Sequence, residues 1–198
     1  PNKQLGNLYF GKVIKDRDSF SHLFQKKARS LLAYVFENDP AFSLQHTMQE
    51  YPSYGTTDFR IPAFEIKQKN GSRIACFEYT KHEIIAGKKN LKGLPATYVE
   101  KPEDADTLAI TLYDELIQTE LVLSYTIFNN FPAIARSARF ENKGDDTIVL
   151  ERAMSASVDF IDSNYEMIQL SGAWSRERHV KTRKLHQGIQ GIYSMRGS

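Results

Sequence analysis

DTLAITLY, Asp106 to Tyr113, and ELVLSYTIF, Glu120 to Phe128, decide the fold class of this chain. In the first, Leu108, Ile110 and Leu112 share one parity, and Thr107, Ala109 and Thr111 the other. In the second, Leu121, Leu123, Tyr125 and Ile127 alternate with residues that include Ser124 and Thr126. Successive side chains of a strand point to opposite faces, so both runs are predicted as half-buried antiparallel strands. Turn signals surround them. Asn70-Gly71 lies between PAFEIKQK and SRIACFEY, and that dipeptide tolerates the positive φ angles of a type I′ turn, so a hairpin is expected there. A second hairpin is expected at Asn142-Lys143-Gly144-Asp145-Asp146, joining Ile134–Glu141 to Thr147–Phe160. Asp162-Ser163-Asn164 marks a turn before Tyr165–Leu170. Helical spacing is confined to Phe20, Leu23 and Phe24 after Ser19, and fades within about two turns. Lys88 to Asp104, rich in lysine and broken by prolines and a glycine, reads as an exposed loop. The expectation is an all-β chain: one antiparallel β-sandwich domain over residues 1–198, with little helix.

The chain has 198 residues, 41% hydrophobic and 25% charged, which is a globular composition. A net charge of +2 supplies no bulk drive toward nucleic acid or an anionic membrane, and neither is expected as a partner. No apolar run approaches the ~20 residues of a membrane-spanning helix. The one cysteine, Cys76, excludes an internal disulfide and a cysteine-based zinc finger. Its neighbours Ile74, Ala75 and Phe77 predict a buried, inert thiol, and a free cysteine points to a reducing compartment, the cytoplasm. The chain opens PNKQLG and closes MRGS, and an excised piece of a longer protein is expected.

The nucleophile elbow, the P-loop and the dinucleotide fingerprint are all absent from the sequence. His46 and Glu50 are four apart, but their segment alternates like a strand, so no metal site is expected there. His179 and His186 read as solvated. The basic run RERHVKTRKLH, Arg176 to His186, reads as a solvated face before it reads as a phosphate contact. More telling is YPSYGTTDFR, Tyr51 to Arg60: an aspartate closing a Gly-Thr-Thr loop, beside an arginine and several rings. Aromatic platforms beside carboxylates suit sugars, because sugars present apolar C–H faces and hydroxyl edges. Tyr51, Tyr54, Phe59, Tyr79, Tyr98 and Trp174 are the available rings, although most rings in a sandwich belong to its core. Asp58 has two readings. It accepts hydrogen bonds from vicinal hydroxyls while Arg60 keeps it ionised, or it pairs with Arg60 and caps the turn at Thr56 and Thr57.

Four stretches carry a resemblance that spans nearly the whole chain: LGNLYFGK (Leu5 to Lys12), EYPSYGTTDFRIPAF (Glu50 to Phe64) with NGSRI (Asn70 to Ile74), LSGAWSRERH (Leu170 to His179), and the closing GIYSMRGS. In this order they resemble the N-terminal region of melibiase-type α-galactosidases, glycoside hydrolase family thirty-six. The resemblance implies a large twisted sandwich, a supersandwich, followed by a (β/α)₈ barrel and a C-terminal β domain. It implies that one or two strands precede Pro1. It also implies retaining hydrolysis of terminal α-1,6-linked galactose by two barrel aspartates, so no catalytic residue is expected in this chain and the fragment alone is expected to be inactive. No cofactor is implied. The partners implied are galactosides and further copies of the enzyme in a tetramer. The resemblance places Asp58 at the rim of the galactose pocket, with Arg60, Tyr54 and Thr57 shaping its loop. Trp174 matches a family position and is expected to pack the sandwich. A stand-alone carbohydrate-binding module and a pure oligomerisation scaffold are the alternatives.

Overall fold

A computed structural model describes residues 2–24, 36, 39–40, 42–55, 59–93 and 96–195. The chain divides into two compact units, Pro1–Asp159 and Phe160–Ser198. Every ladder between strands of the described residues is antiparallel, and one isolated bridge, Ser53↔Phe64, is parallel. Among the described residues the only helical segments are short 3-10 turns, one of them at Ser21–Leu23 where the helical spacing lies. Among those residues no helix is long and apolar enough to cross a membrane.

The first unit is built on a four-stranded sheet in the order β2-β3-β4-β5, with β2 Glu78–Ala86, β3 Ala105–Asp114, β4 Thr119–Phe128 and β5 Ile134–Asn142. The strands follow one another as a meander, and β2 carries a register break between Tyr79 and Lys81. The two decisive alternating runs are β3 and β4, paired from Ala105↔Phe128 to Asp114↔Thr119. Their turn is held by the buried Asp114. Its Oδ1 accepts from the amides of Leu116 (2.9 Å) and Ile117 (3.2 Å), and its Oδ2 from the amide of Cys76 (2.7 Å).

A separate two-stranded ladder joins β1, Phe64–Lys67, to β6, Val149–Ala153. Both expected hairpins are corrected by this pairing. The turn at Asn70-Gly71 exists, with Gln68 N donating to Ser72 O (2.9 Å) and Gly71 at φ +86°, but Asn70 does not share the positive φ of a type I′ turn. The strands on either side pair elsewhere, β1 with β6 and β2 with β3. In the same way, the chain beyond Asn142–Asp146 leaves β5 for β1. Turn chemistry is local, whereas the partner of a strand is set by where its apolar face is buried.

That burial is dominated by Phe64. Its ring stacks on Tyr51 (5.4 Å between centroids) and meets Phe77 and Phe140 at 5.2 Å each. Ile66 beside it joins Leu112, Leu121 and Leu123 of the sheet in one core cluster. The core thus lies between the β1–β6 ladder and the four-stranded sheet. β3 is covered more fully than a half-buried strand: Thr107, Ala109 and Thr111 on its second face are buried as well. Cys76 is exposed, contrary to the buried thiol expected. It stands one residue out of phase with the buried Ala75 and Phe77. Partial desolvation and then the Glu78 and Asp114 carboxylates push its pKa up, which disfavours the reactive thiolate.

Among the described residues the second unit contains one hairpin, β7 Glu166–Ala173 and β8 Arg176–Lys184. Asp162 Oδ1 accepts from Asn164 N (3.0 Å) at the turn that precedes it. Ile168, and Leu170 opposite Val180, are 67%, 61% and 68% exposed. Trp174, expected to pack, sits in the hairpin turn at 90% exposure. Next to it, Ser175 (φ +62°) makes the reversal that points this ring outward.

Candidate functional site

The stretch Tyr51 to Arg60 is anchored at both ends. At its start the Tyr51 ring is buried against Phe64, and its hydroxyl donates to the carbonyl of Met154 (2.5 Å). Pro52 O accepts from Ala63 N (2.8 Å), and Ser53 Oγ donates to Ala75 O (3.0 Å). Gly55 holds φ +91°, and a Cβ there would stand 2.9 Å from the Ile74 side chain, so only glycine fits this approach. At the far end Arg60 pairs with Asp159, and its second guanidinium nitrogen donates to the carbonyls of Leu44 (3.2 Å) and Thr47 (2.8 Å). One planar fork thereby ties three separate parts of the chain together.

Between these anchors the sequence-derived site divides. Thr57 and Asp58 lie outside the described residues. Tyr54 and Phe59 flank them and are both exposed. Arg60 is committed to structure through Asp159 and the two carbonyls, which suits a residue that shapes the loop. Of the candidate rings only Tyr51 is buried; Tyr54, Phe59, Tyr79, Tyr98 and Trp174 are exposed. His46, His179 and His186 are exposed too, and among the described residues no three His, Cys, Asp or Glu converge on a metal position.

Sequence reasoning missed a cluster that stands directly before the loop. Glu50 Oε1 accepts from the Tyr125 hydroxyl (2.8 Å) and from Arg136 Nη2. The Arg136 guanidinium also lies over the Tyr125 ring, 5.0 Å from its centroid, and reaches the carbonyl of Ser157 (3.3 Å). Tyr125 and Arg136 are direct cross-strand partners. The one available signal was a phenol in the otherwise aliphatic row Leu121, Leu123, Tyr125, Ile127. The cluster faces a largely apolar cavity of about 790 Å³, walled by Leu108 and Ile110 of β3 and by Leu8, Phe10 and Phe20 of the N-terminal segment.

Burial, above all, holds the Glu50 carboxyl above its ordinary range. The Tyr125 hydroxyl and Arg136 oppose that shift, and Asp159 adds to it. A carboxyl raised in this way binds its proton more readily folded than unfolded. Its contribution to stability is therefore full below the unfolded pKa and is lost as pH rises through the folded one. Burial and then the Glu50 charge also push the Tyr125 phenol up, so it remains a donor at any physiological pH. The cluster can position backbone and present one partly accessible carboxylate. It has no nucleophile–base pair.

The chain matches the glycosyl hydrolase family 36 N-terminal domain over residues 3–198. It is 44% identical over 194 residues to alpha-galactosidase AgaA of Geobacillus stearothermophilus, covering 98% of this chain and 26% of that protein. A crystal structure of an AgaA variant in complex with stachyose superimposes with a TM-score of 0.92 at 44% identity, over 100% of this chain and 27% of that one. Another variant, in complex with raffinose, gives 0.91 at 43%, over 98% and 27%. The chain thus spans about a quarter of the length of these relatives.

Proposed function

Because the chain belongs to the glycosyl hydrolase family 36 N-terminal domains, we propose that it is the N-terminal part of an α-galactosidase. Its substrates are melibiose- and raffinose-type oligosaccharides, from which terminal α-1,6-linked galactose is released. In this reading the loop that ends in Asp58 sits at the rim of the galactose pocket. The observation that carries it is the anchoring of the described residues on either side of that loop, Tyr51 through its hydroxyl on Met154 O and Arg60 through Asp159. Tyr54, exposed in the same stretch, offers a ring and a hydroxyl to a sugar, and Thr57 enters the proposal as a residue of that stretch. The raffinose and stachyose bound by AgaA support galactosides as the ligand class.

Retaining hydrolysis needs two carboxyls ~5–5.5 Å apart. In the family these belong to the barrel, so this chain alone is inactive in the proposal. The exposed Trp174, Ile168 and Leu170 support a second role in assembling a homo-oligomer, a tetramer, since apolar surface of this kind marks contact sites.

The test is Asp58→Ala in the full-length protein. One lost charged hydrogen bond costs about 1.5–3 kcal/mol, so kcat/KM on an aryl α-galactoside should fall by at least about tenfold. An unchanged kcat/KM would remove Asp58 from the pocket. Titrating the chain alone with galactose, melibiose and raffinose gives the complement. Negligible binding is expected, and tight binding would make this a free-standing carbohydrate module.

A further inference from the structure

The second face of the four-stranded sheet holds a trough that the galactoside reading does not use. Two cross-strand rows form its floor. One runs Glu83–Ala109–Ser124–Ser137 and the other Lys81–Thr111–Val122–Arg139. Small side chains occupy the rest of the first row beyond Glu83 at one end, and charged groups, Lys81 and Arg139, stand at both ends of the second. The chain leaving β2 turns at Gly87 (φ +79°, where a Cβ would meet Pro102 at 3.1 Å) and carries Lys88, Lys89 and Leu91 to the trough. The result is a cavity of about 320 Å³ closed by the chain's own loop.

Several of its polar groups are uncommitted, although Thr107 Oγ1 is bonded to Gly87 O and to the Thr126 hydroxyl. The Lys88 ammonium nitrogen is buried and has no hydrogen-bond partner. Among the described residues, Lys81, Glu83 and Lys89 form no ion pair, and the hydroxyls of Thr111, Ser124 and Ser137 make no hydrogen bond to the protein. Arg139 is engaged with Glu120 and Glu141, so the three lysines outnumber the single unpaired carboxylate, Glu83. An ammonium withdrawn from water without an acceptor is costly, and an anion in the trough would remove that cost. The hydroxyls beside it match the edges of a polyol.

We propose that this trough is a binding site for a small phosphate-bearing polyol of hexose-phosphate type. The phosphate lies against Lys88, with Lys81 and Lys89 beside it, and the polyol hydroxyls lie on Thr111, Ser124 and Ser137. The site is separate from the Tyr51–Arg60 loop and does not depend on the galactoside reading. The source of the phosphate is read by calorimetric titration of the full-length protein with inorganic phosphate, a hexose 6-phosphate and the unphosphorylated hexose. Expected are binding of the hexose 6-phosphate, weaker binding of inorganic phosphate and none of the free hexose. Lys88→Met should weaken both phosphates about tenfold or more. Ser124→Ala should weaken the hexose 6-phosphate and leave inorganic phosphate unchanged, and it tests the site even if Lys88→Met fails to fold. Absence of phosphate binding, binding that Lys88→Met leaves intact, or a hexose 6-phosphate bound no tighter than inorganic phosphate would each overturn the proposal. Loss of stability in Lys88→Met without any phosphate response would assign the lysine to a carboxylate elsewhere in the protein, and would overturn it too.

Discussion

In β3 and β4 the apolar parity carries Leu112, Leu121 and Leu123 into a core closed by Phe64 and Ile66 from the ladder above. In β7 and β8 the same alternation carries Ile168, and Leu170 opposite Val180, and solvent stands on them. Pattern is therefore equal in the two regions and cover is not. A strand reports which side it would bury; only a second layer decides whether it does. A lone two-stranded hairpin is marginal in water, and a covered four-stranded sheet is not.

The contrast can be broken most directly at Phe64. Phe64→Ala removes the ring on which Tyr51, Phe77 and Phe140 converge, and should cost about 3–5 kcal/mol in chemical denaturation. A loss under about 1 kcal/mol would mean that the first unit's core is not where its stability resides. Arg136→Met comes next. It leaves Glu50 buried with only the Tyr125 hydroxyl, for about 2–3 kcal/mol at neutral pH. That loss should shrink as pH falls below the raised Glu50 pKa, because the protonated carboxyl no longer needs the cation. A loss independent of pH would assign the effect to packing of the arginine stem. Leu170→Ala sharpens the comparison from the other side. In this chain it should change stability by no more than about 0.5 kcal/mol, as an exposed position does. The same substitution should cost about 2 kcal/mol or more in an assembled protein that covers the hairpin.

How much could be read in advance follows from the same physics. The β3 and β4 strands were legible because alternation records a face. The pairing of β1 with β6 was not: Asn70-Gly71 and Asn142–Asp146 announce turns, while the destination of each strand depends on Phe64 finding Phe140, far along the chain. The loop at Tyr51–Arg60 stood out through its unusual residue types, Arg60 among them. Its partner Asp159 is 99 residues distant and carried no local mark. Glu50, Tyr125 and Arg136 were each unremarkable alone; only the register that sets Tyr125 opposite Arg136 makes them a cluster. Trp174 shows the reverse case, a large ring whose type predicts burial and whose place in a tight turn denies it.

Asp114 admits no isosteric substitute. Both of its carboxylate oxygens receive amide protons, Oδ1 from Leu116 and Ile117, Oδ2 from Cys76. Asparagine has the same outline but exchanges one oxygen for an NH₂ group, which would then confront an N–H with another N–H. Flipping the amide only chooses which neighbour is repelled, the β3–β4 turn or the segment that leads into β2.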